Sequence, residues 1–341
     1  MRKKAARITE VARLAGVSPG LVSRIINNDA TLKVRAETRA RVMDAIDKLD
    51  YAPDSTARAL RSARTGLLGF ALHHVNDPVY TDMVDAAQVA ATSRNHSIML
   101  LNTTELLERG DAFREIVHGR RVDGLLIQSG FGDADADLRA LAGTVPSILF
   151  NGAPMPGTRT LRLDDGAAAA AATEHLVALG HRDIAFVGAD GAAAARRLDA
   201  YRAAMERAGL APLPPLHGGW SPDEAKAAVT RYLADRPSAT AFVVVTTTTA
   251  IGVHSAIATA GLRIPDDIAL ISVHDAWFAP HLNPPLTVVA LPFGTLGTRA
   301  VDLLIRQIHE PTTGETIIAD DPPRLIERGS TAPPRSRETL P

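Results

Sequence analysis

Eleven histidines, including the tandem His73-His74, the neighbours His274-Asp275 and several Asp-Asp pairs are the chain's raw material for proton transfer or metal ligation. None sits in a catalytic pattern. The sequence has no His-Glu-x-x-His, no Gly-x-Ser-x-Gly and no phosphate loop, and Gly188-Ala189-Asp190-Gly191 is not a dinucleotide fingerprint. Histidines on strands and loops are ordinarily hydrogen-bonded or solvated, so no enzyme, metal site or cofactor is expected. Zero cysteines exclude disulfides, thiolate nucleophiles and cysteine-ligated clusters. The spacing near the N-terminus does support contact with a nucleic acid. Ser18 and Ser23 can bond phosphates or base edges, Arg24 can fork onto guanine or a phosphate, and Leu21 can meet a thymine methyl. Pro19 and Gly20 bring no side-chain donor.

Short helices must position these residues. Thr9 is the expected N-cap of a first helix whose apolar stripe is Val11, Ala12, Leu14 and Ala15, ended by Gly16. Ser18-Pro19 opens a second, with Val22, Ile25 and Ile26 on one face. A third, from about Arg35 to Leu49, turns Val42, Ile46 and Leu49 inward. Two short helices joined through a Gly turn and closed by a third form a helix-turn-helix, whose second helix enters the major groove. Charge agrees. Residues 1–64 hold 14 lysines and arginines against 7 acids, a net of +7, while the rest of the chain holds 23 against 31, a net of −8. Such segregation fits a polyanion-binding head on an anionic body, or a basic solubilising face. The segment 51–65, with Arg58 and Arg61, reads as a short helix and linker too polar to be core. It fits a helix that folds on DNA, with Leu60 as a minor-groove wedge or as a plain contact with the next domain.

With these residues the chain resembles the LacI/GalR family of bacterial transcription regulators. The resemblance rests on Ile8-Thr-Glu-Val-Ala-Arg-Leu-Ala-Gly-Val-Ser18, Val22-Ser-Arg-Ile-Ile-Asn27, Thr38-Arg-Ala-Arg-Val42, Leu49-Asp-Tyr-Ala-Pro53 and Ala57-Arg-Ala-Leu60. It implies a homodimer gripping a pseudopalindromic double-stranded operator through Thr9, Ser18, Pro19, Gly20, Leu21, Ser23, Arg24, Asn27, Arg58 and Leu60, the last standing at the family's hinge-helix leucine. Asp54 stands where the family usually has Asn, and Arg35 where it has the Ser capping the third helix.

From Gly66 short apolar runs alternate with amphipathic helices, as in parallel sheets with crossover connections. Leu67 to Leu72, Ser97 to Leu101, Gly124 to Ile127 and Ser147 to Phe150 read as strands, with helices near Tyr80 to Ser93 and Asp111 to Gly119. The pattern restarts after Leu163: helices Gly166 to Leu179, Arg197 to Ala208, Pro222 to Leu233 and Ala250 to Ala260, and strands Ile184 to Val187, Ala241 to Val245 and Ile268 to Val273. Two α/β lobes of doubly wound parallel sheet are expected, with a small-molecule cleft at the carboxyl ends of the strands. The resemblance continues through Asn76-Asp-Pro78, Val122-Asp-Gly124, Asp164-Asp-Gly166, His175 to Ala185, Arg197-Leu-Asp-Ala-Tyr201, Pro265-Asp-Asp267 and Pro284-Pro-Leu-Thr287.

It implies a periplasmic-binding-protein-like body that dimerises and changes operator affinity when an effector, in most relatives a sugar, nucleobase or nucleoside, closes the cleft. A carbohydrate effector is expected here. Arg197 matches the family's effector-contacting arginine, a fork able to bridge two ligand oxygens, although by residue type alone it is an ordinary helix-surface arginine. His274 or Asp275 stands where the family presents an Asp; counting back from Pro284 favours His274, the local His-Asp pattern Asp275. His74, Asn76, Asn151, Trp220 and Phe293 fall at cleft-lining positions, where Trp220 and Phe293 suit a sugar face or plain core. Thr246 and Thr247 replace the common Asn-Asp pair with shorter, uncharged hydroxyls. The effector therefore departs from the common hexoses, or the site has lost its ligand.

With 341 residues, 46% of them hydrophobic, the chain can bury a sizeable core. The N-terminal region lacks the apolar stretch of roughly 7 to 15 residues that export needs, and no run approaches the roughly 18 needed to span a bilayer. A cytoplasmic protein is expected. Its parts are a head at 1–50, a hinge at 51–65, the two-lobed body at 66–331 and a disordered tail at 332–341, which carries no leucine heptad. A free-standing sugar-binding protein is the rival reading, but it leaves the basic head unexplained.

Overall fold

The computed structural model describes residues 6–26, 29, 31–51, 64–103, 121–130, 142–235 and 238–335. The sequence-predicted helix 111–119, the hinge residues 52–63 and, with them, Asn27, Arg58 and Leu60 lie outside the described residues. The chain divides into two units, 1–65 and 66–341.

The first unit holds α1 (Ile8–Ala15), α2 (Pro19–Ile26) and α3 (Ala36–Leu49). Gly16, in the left-handed conformation at φ 67°, ends α1 where a side chain would be strained. Val11, Ala12, Ala15, Val22, Ile25, Val42 and Ala45 form the core, with Ile46 and Leu49 packed against it. Leu14, expected in this stripe, is instead 53% exposed, because Val11 and Ala15, one turn apart, already fill the inward face. Thr9 is not the N-cap. Arg7 takes that place, and Glu10 folds back to accept from the Arg7 amide at 2.7 Å, leaving Thr9 exposed in the first turn. Arg35 precedes α3 without a side-chain cap bond.

The second unit contains two six-stranded sheets. The first joins β1 (Leu67–Leu72), β2 (Ser97–Asn102), β3 (Gly124–Gln128), β4 (Ser147–Phe150), β5 (Arg159–Leu163) and β11 (Gly314–Ile318) in the order β11-β5-β4-β3-β1-β2, every pairing parallel. The second joins β6 (Ile184–Gly188), β7 (Leu216–His217), β8 (Ala241–Val244), β9 (Ala269–Val273), β10 (Thr287–Ala290) and β12 (Arg324–Ile326) in the order β12-β10-β9-β8-β6-β7. Only β12 runs antiparallel there. The fully buried strand Ala269–Val273 is a near-continuous apolar run because helices pack on it from the segments 165–178 and 247–259.

The helices are α4 (Thr81–Ser93), α5 (Asp165–Ala178), α6 (Ala192–Arg207), α7 (Pro222–Ala234), α8 (Thr247–Thr259) and α9 (Phe293–His309). Two begin earlier than their sequence pattern. α6 starts at Ala192 rather than Arg197, and α8 at Thr247 rather than Ala250, capped by Thr246. Residues 332–335, expected in a disordered tail, are instead held: His181 Nε2 donates to the Ala332 carbonyl at 2.9 Å, and Arg335 pairs with Asp266 at 2.9 Å.

The chain passes between the sheets three times, after β5, β10 and β11. On the second passage α9 returns to the first lobe and packs on α4. A Cβ at Gly297 of α9 would lie 2.2 Å from the Met83 carbonyl oxygen of α4, so the two backbones approach only because that position is glycine. Gly297→Ala should therefore cost roughly 1–3 kcal/mol as an overpacking change. Gly294→Ala, whose Cβ would meet Ala86 at an ordinary 3.9 Å, should be neutral or stabilising. Urea unfolding of the two variants checks the contrast.

Candidate functional site

Two places hold the candidate residues, the exposed end of α2 and the cleft between the lobes. In the head, Ser18, Pro19 and Gly20 are exposed and Leu21 and Ser23 half-buried. Ser18 Oγ accepts from the Leu21 amide at 3.2 Å, capping α2. Arg24 is exposed but engaged: its Nε donates to Asp29 Oδ2 at 2.7 Å and Nη2 to Thr31 Oγ1 at 3.1 Å. Bonds from the Thr31 hydroxyl and from Arg24 hold the Asp29 carboxyl down to about 2. The Asp29 carboxylate stays ionised at neutral pH and fixes the guanidinium at the surface.

In the body, the carboxyl ends of β1, β3 and β4 face Arg196 and Arg197 of α6, the start of α8 and the end of β9. Asp165 lies at the first passage between lobes and is 1% exposed. Its Oδ1 accepts from Arg197 Nη2 at 2.6 Å and Nε at 3.1 Å; its Oδ2 accepts from Arg196 Nη2 at 2.5 Å and Nε at 3.1 Å. Arg197, 2% exposed, also donates from Nη1 to the Val245 carbonyl at 2.6 Å and from Nη2 to His274 Nε2 at 2.8 Å. Arg196 reaches the other lobe, donating to the Asn151 carbonyl at 2.8 Å and the Gly152 carbonyl at 3.3 Å. Two further bonds cross the cleft: Thr248 Oγ1 to Asp77 Oδ1 at 2.8 Å, and the Ala192 amide to the Gly130 carbonyl at 2.9 Å.

Of the two candidates at the end of β9, His274 meets Arg197, and it does so in the left-handed region at φ 74°. Asp275 is tied to Arg328 at 2.8 and 3.0 Å instead. Phe293 is buried, its ring centroid 4.5 Å from that of His274 and 5.6 Å from that of Tyr80. The Tyr80 hydroxyl bonds the Gln128 amide at 2.5 Å, and burial pushes the phenol up. Thr246 and Thr247 stand where α8 begins, and their hydroxyls are engaged there. Thr246 caps the helix by accepting from the Thr249 amide at 3.1 Å, and Thr247 donates to the His274 carbonyl at 2.5 Å. Trp220 is half-buried and donates to the Asp190 carbonyl at 3.0 Å. His74 and Asn76 are exposed in the turn after β1. Asn151 is buried at the end of β4.

Sequence reasoning missed Asp77, Tyr80, Gln128, Ser129, Asp165, Arg196 and Thr248. Asp77 and Asp165 sit inside motifs that carried the resemblance; the others carried no signal. Among the described residues five buried side-chain polar atoms lack a hydrogen-bond partner, and three belong to this cleft: Ser129 Oγ, Asn151 Oδ1 and His274 Nδ1. Buried polar atoms are ordinarily paired, and these three are not.

The profile of bacterial regulatory proteins of the lacI family matches residues 7–54, and that of the periplasmic binding protein-like domain matches residues 173–331. The ribose operon repressor of Escherichia coli K12 is 33% identical over 332 residues, covering 95% of this chain and 99% of the relative. The chain belongs to the lacI family. A transcriptional repressor PurR of Pasteurella multocida is 30% identical, covering 95% of this chain and 98% of the relative. The crystal structure of the Lac repressor dimer bound to operator and the anti-inducer ONPF superposes with a TM-score of 0.79 at 26% identity, covering 96% of this chain and all of that one. Like these lacI-family proteins, the chain is a DNA-binding transcription regulator with a periplasmic-binding-protein-like domain, not an enzyme. Among the described residues no helix is long and apolar enough to cross a membrane.

Burial, and then the neighbouring Arg197, hold His274 well below the ordinary histidine range; burial lowers His181 as well. Folding favours the neutral form of both rings, and both take up a proton more readily when unfolded at acid pH. Their contribution is thus complete above the unfolded value of about 6.5 and declines as pH falls below it. Urea midpoints should drop between pH 7.5 and 5.5, and His274→Asn should reduce the drop.

Proposed function

We propose that the chain is a cytoplasmic homodimeric repressor whose heads read two half-sites of a pseudopalindromic operator and whose cleft binds a small carbohydrate-class effector. The observation that carries the effector reading is the set of three unpartnered buried atoms, on Ser129, Asn151 and His274, beside the Arg197–Asp165 pair. In this reading residues 1–50 form the DNA-binding head, 51–65 the hinge with Arg58 and Leu60, and the body from residue 66 the effector and dimer domain. Dimer symmetry is what makes the operator palindromic. The free edge of the first sheet supports a dimer contact there. Edge strand β2 exposes Leu100 at 47%, and Val89 of α4 is 71% exposed.

Thr9, Ser18, Pro19, Gly20, Leu21, Ser23 and Arg24 supply the described part of the DNA face, with Asn27 completing it. Arg24→Ala should weaken operator binding by about 10- to 100-fold, the size of one lost bidentate base contact, and relax specificity at a single base position. Fluorescence anisotropy with operator fragments selected from the genome measures both. Unchanged affinity would remove Arg24 from the DNA face. On the effector side, Arg197→Ala should abolish the ligand-dependent change in operator affinity, with thermal unfolding as the control for folding. A retained response would move the effector site elsewhere.

A further inference from the structure

The cleft's hydrogen-bond inventory sets the chemistry of what can fill it. A guanidinium has five donors and no acceptor, so the 2.8 Å contact between Arg197 Nη2 and His274 Nε2 requires Nε2 to accept. His274 is neutral, and its proton therefore sits on Nδ1. That N–H is buried, 3% of the residue being exposed, and finds no acceptor. A buried unsatisfied donor is costly, and an acceptor atom on the ligand relieves it.

Two of the three nearby carboxylates are already engaged through both oxygens. Asp165 is consumed by two guanidinium groups and Asp275 by Arg328, while Asp77 accepts the Thr248 hydroxyl and the Val79 amide on Oδ1 alone. Around Asp165 two cations share one anion, with 22% of the Arg196 side chain and 2% of the Arg197 side chain exposed. The second positive charge has no buried counter-ion in this cluster, and Asp77 across the cleft is pushed toward its neutral form by burial. On the acceptor side the site keeps Asn151 Oδ1, with Ser129 Oγ able to play either part.

We infer that the effector is a sugar acid, whose carboxylate accepts from His274 Nδ1–H and balances the Arg196–Arg197 charge while a hydroxyl donates to Asn151 Oδ1. His274 is then the specificity-determining residue. An aspartate at this point would accept from neutral sugar hydroxyls and repel a carboxylate; an Nδ1–H does the reverse. This inference rests on the cleft being the effector site.

The test is isothermal titration of the full-length chain with D-gluconate, D-galactonate and D-galacturonate beside D-ribose, D-glucose and hypoxanthine. An acid should bind and the neutral compounds should not. His274→Asp should weaken the acid by about 100-fold or more, because like charges then face each other in a desolvated site. His274→Asn, which keeps an N–H donor, should stay within about tenfold. Nitrogen-15 histidine spectra should show the Nδ1–H tautomer of His274, and its shift should move on titration with the acid. Preferential binding of a neutral compound, binding by none of the six, or indifference of the acid to His274→Asp overturns the inference. Arg197→Ala separates the two levels. If it leaves the bound ligand unaffected, the cleft reading fails; if it abolishes binding of a neutral ligand, the cleft stands and the sugar acid falls.

Discussion

The buried carboxylate of Asp165 is the constraint on which the cleft depends. It lies where the chain first passes from one sheet to the other, and it holds the guanidinium groups of both Arg196 and Arg197. Removing ions from water costs several kcal/mol each, and the attraction offsets that cost only when the remaining donors are also satisfied. Here they are: Arg197 spends its other bonds on Val245 and His274, and Arg196 on Asn151 and Gly152. One anion thereby fixes the side chain of the second lobe that presents His274 and the side chain that reaches into the first lobe. His274 keeps its strained backbone because Arg197 holds its ring and Thr247 its carbonyl.

The head uses the same device at the surface. Arg24 is oriented by Asp29 and Thr31 rather than left to sample its rotamers. Exposed pairs contribute little to stability. Their effect here is geometric, because a guanidinium fixed in the free protein loses less side-chain entropy when it meets a base edge.

Much of this architecture is readable in the chain itself. The Gly16 turn, Ser18-Pro19 and the spacing of Val22 and Ile25 place the head helices, and the runs at 67–72, 124–127 and 184–187 place strands β1, β3 and β6. What escaped has physical causes. The start of α6 is four alanines, Ala192 to Ala195, which carry no apolar–polar contrast, so the helix is legible only from Arg197 onward. α8 is capped by Thr246 and starts with three more threonines, weak helix formers that read as loop, yet the Thr246 hydroxyl satisfies the helix end and the Thr247 hydroxyl the β9 terminus. That earlier start engages the Thr246 and Thr247 hydroxyls within the protein and brings Thr248 to Asp77. β5 and β11 pair with each other across the sequence, and each mixes charged and apolar residues. His274 and Asp275, one residue apart and open alternatives in the sequence, differ in their tertiary partners, Arg197 and Arg328.

Regulation requires that a ligand discriminate between arrangements of the two lobes, since a ligand bound equally by both shifts nothing. The bonds that span the cleft show where that discrimination can arise. Thr248 to Asp77, Arg196 to Asn151 and Gly152, and Ala192 to Gly130 all break if the lobes part. None of them uses the three unpartnered atoms. Ser129 and Asn151 belong to the first lobe and His274 to the second, so a ligand touching both sets adds bonds only when the lobes are together. Its free energy therefore adds to the spanning bonds. Because coupling between sites is reciprocal, an operator that favours the same arrangement must tighten the ligand by the same factor, and one that favours the other must weaken it.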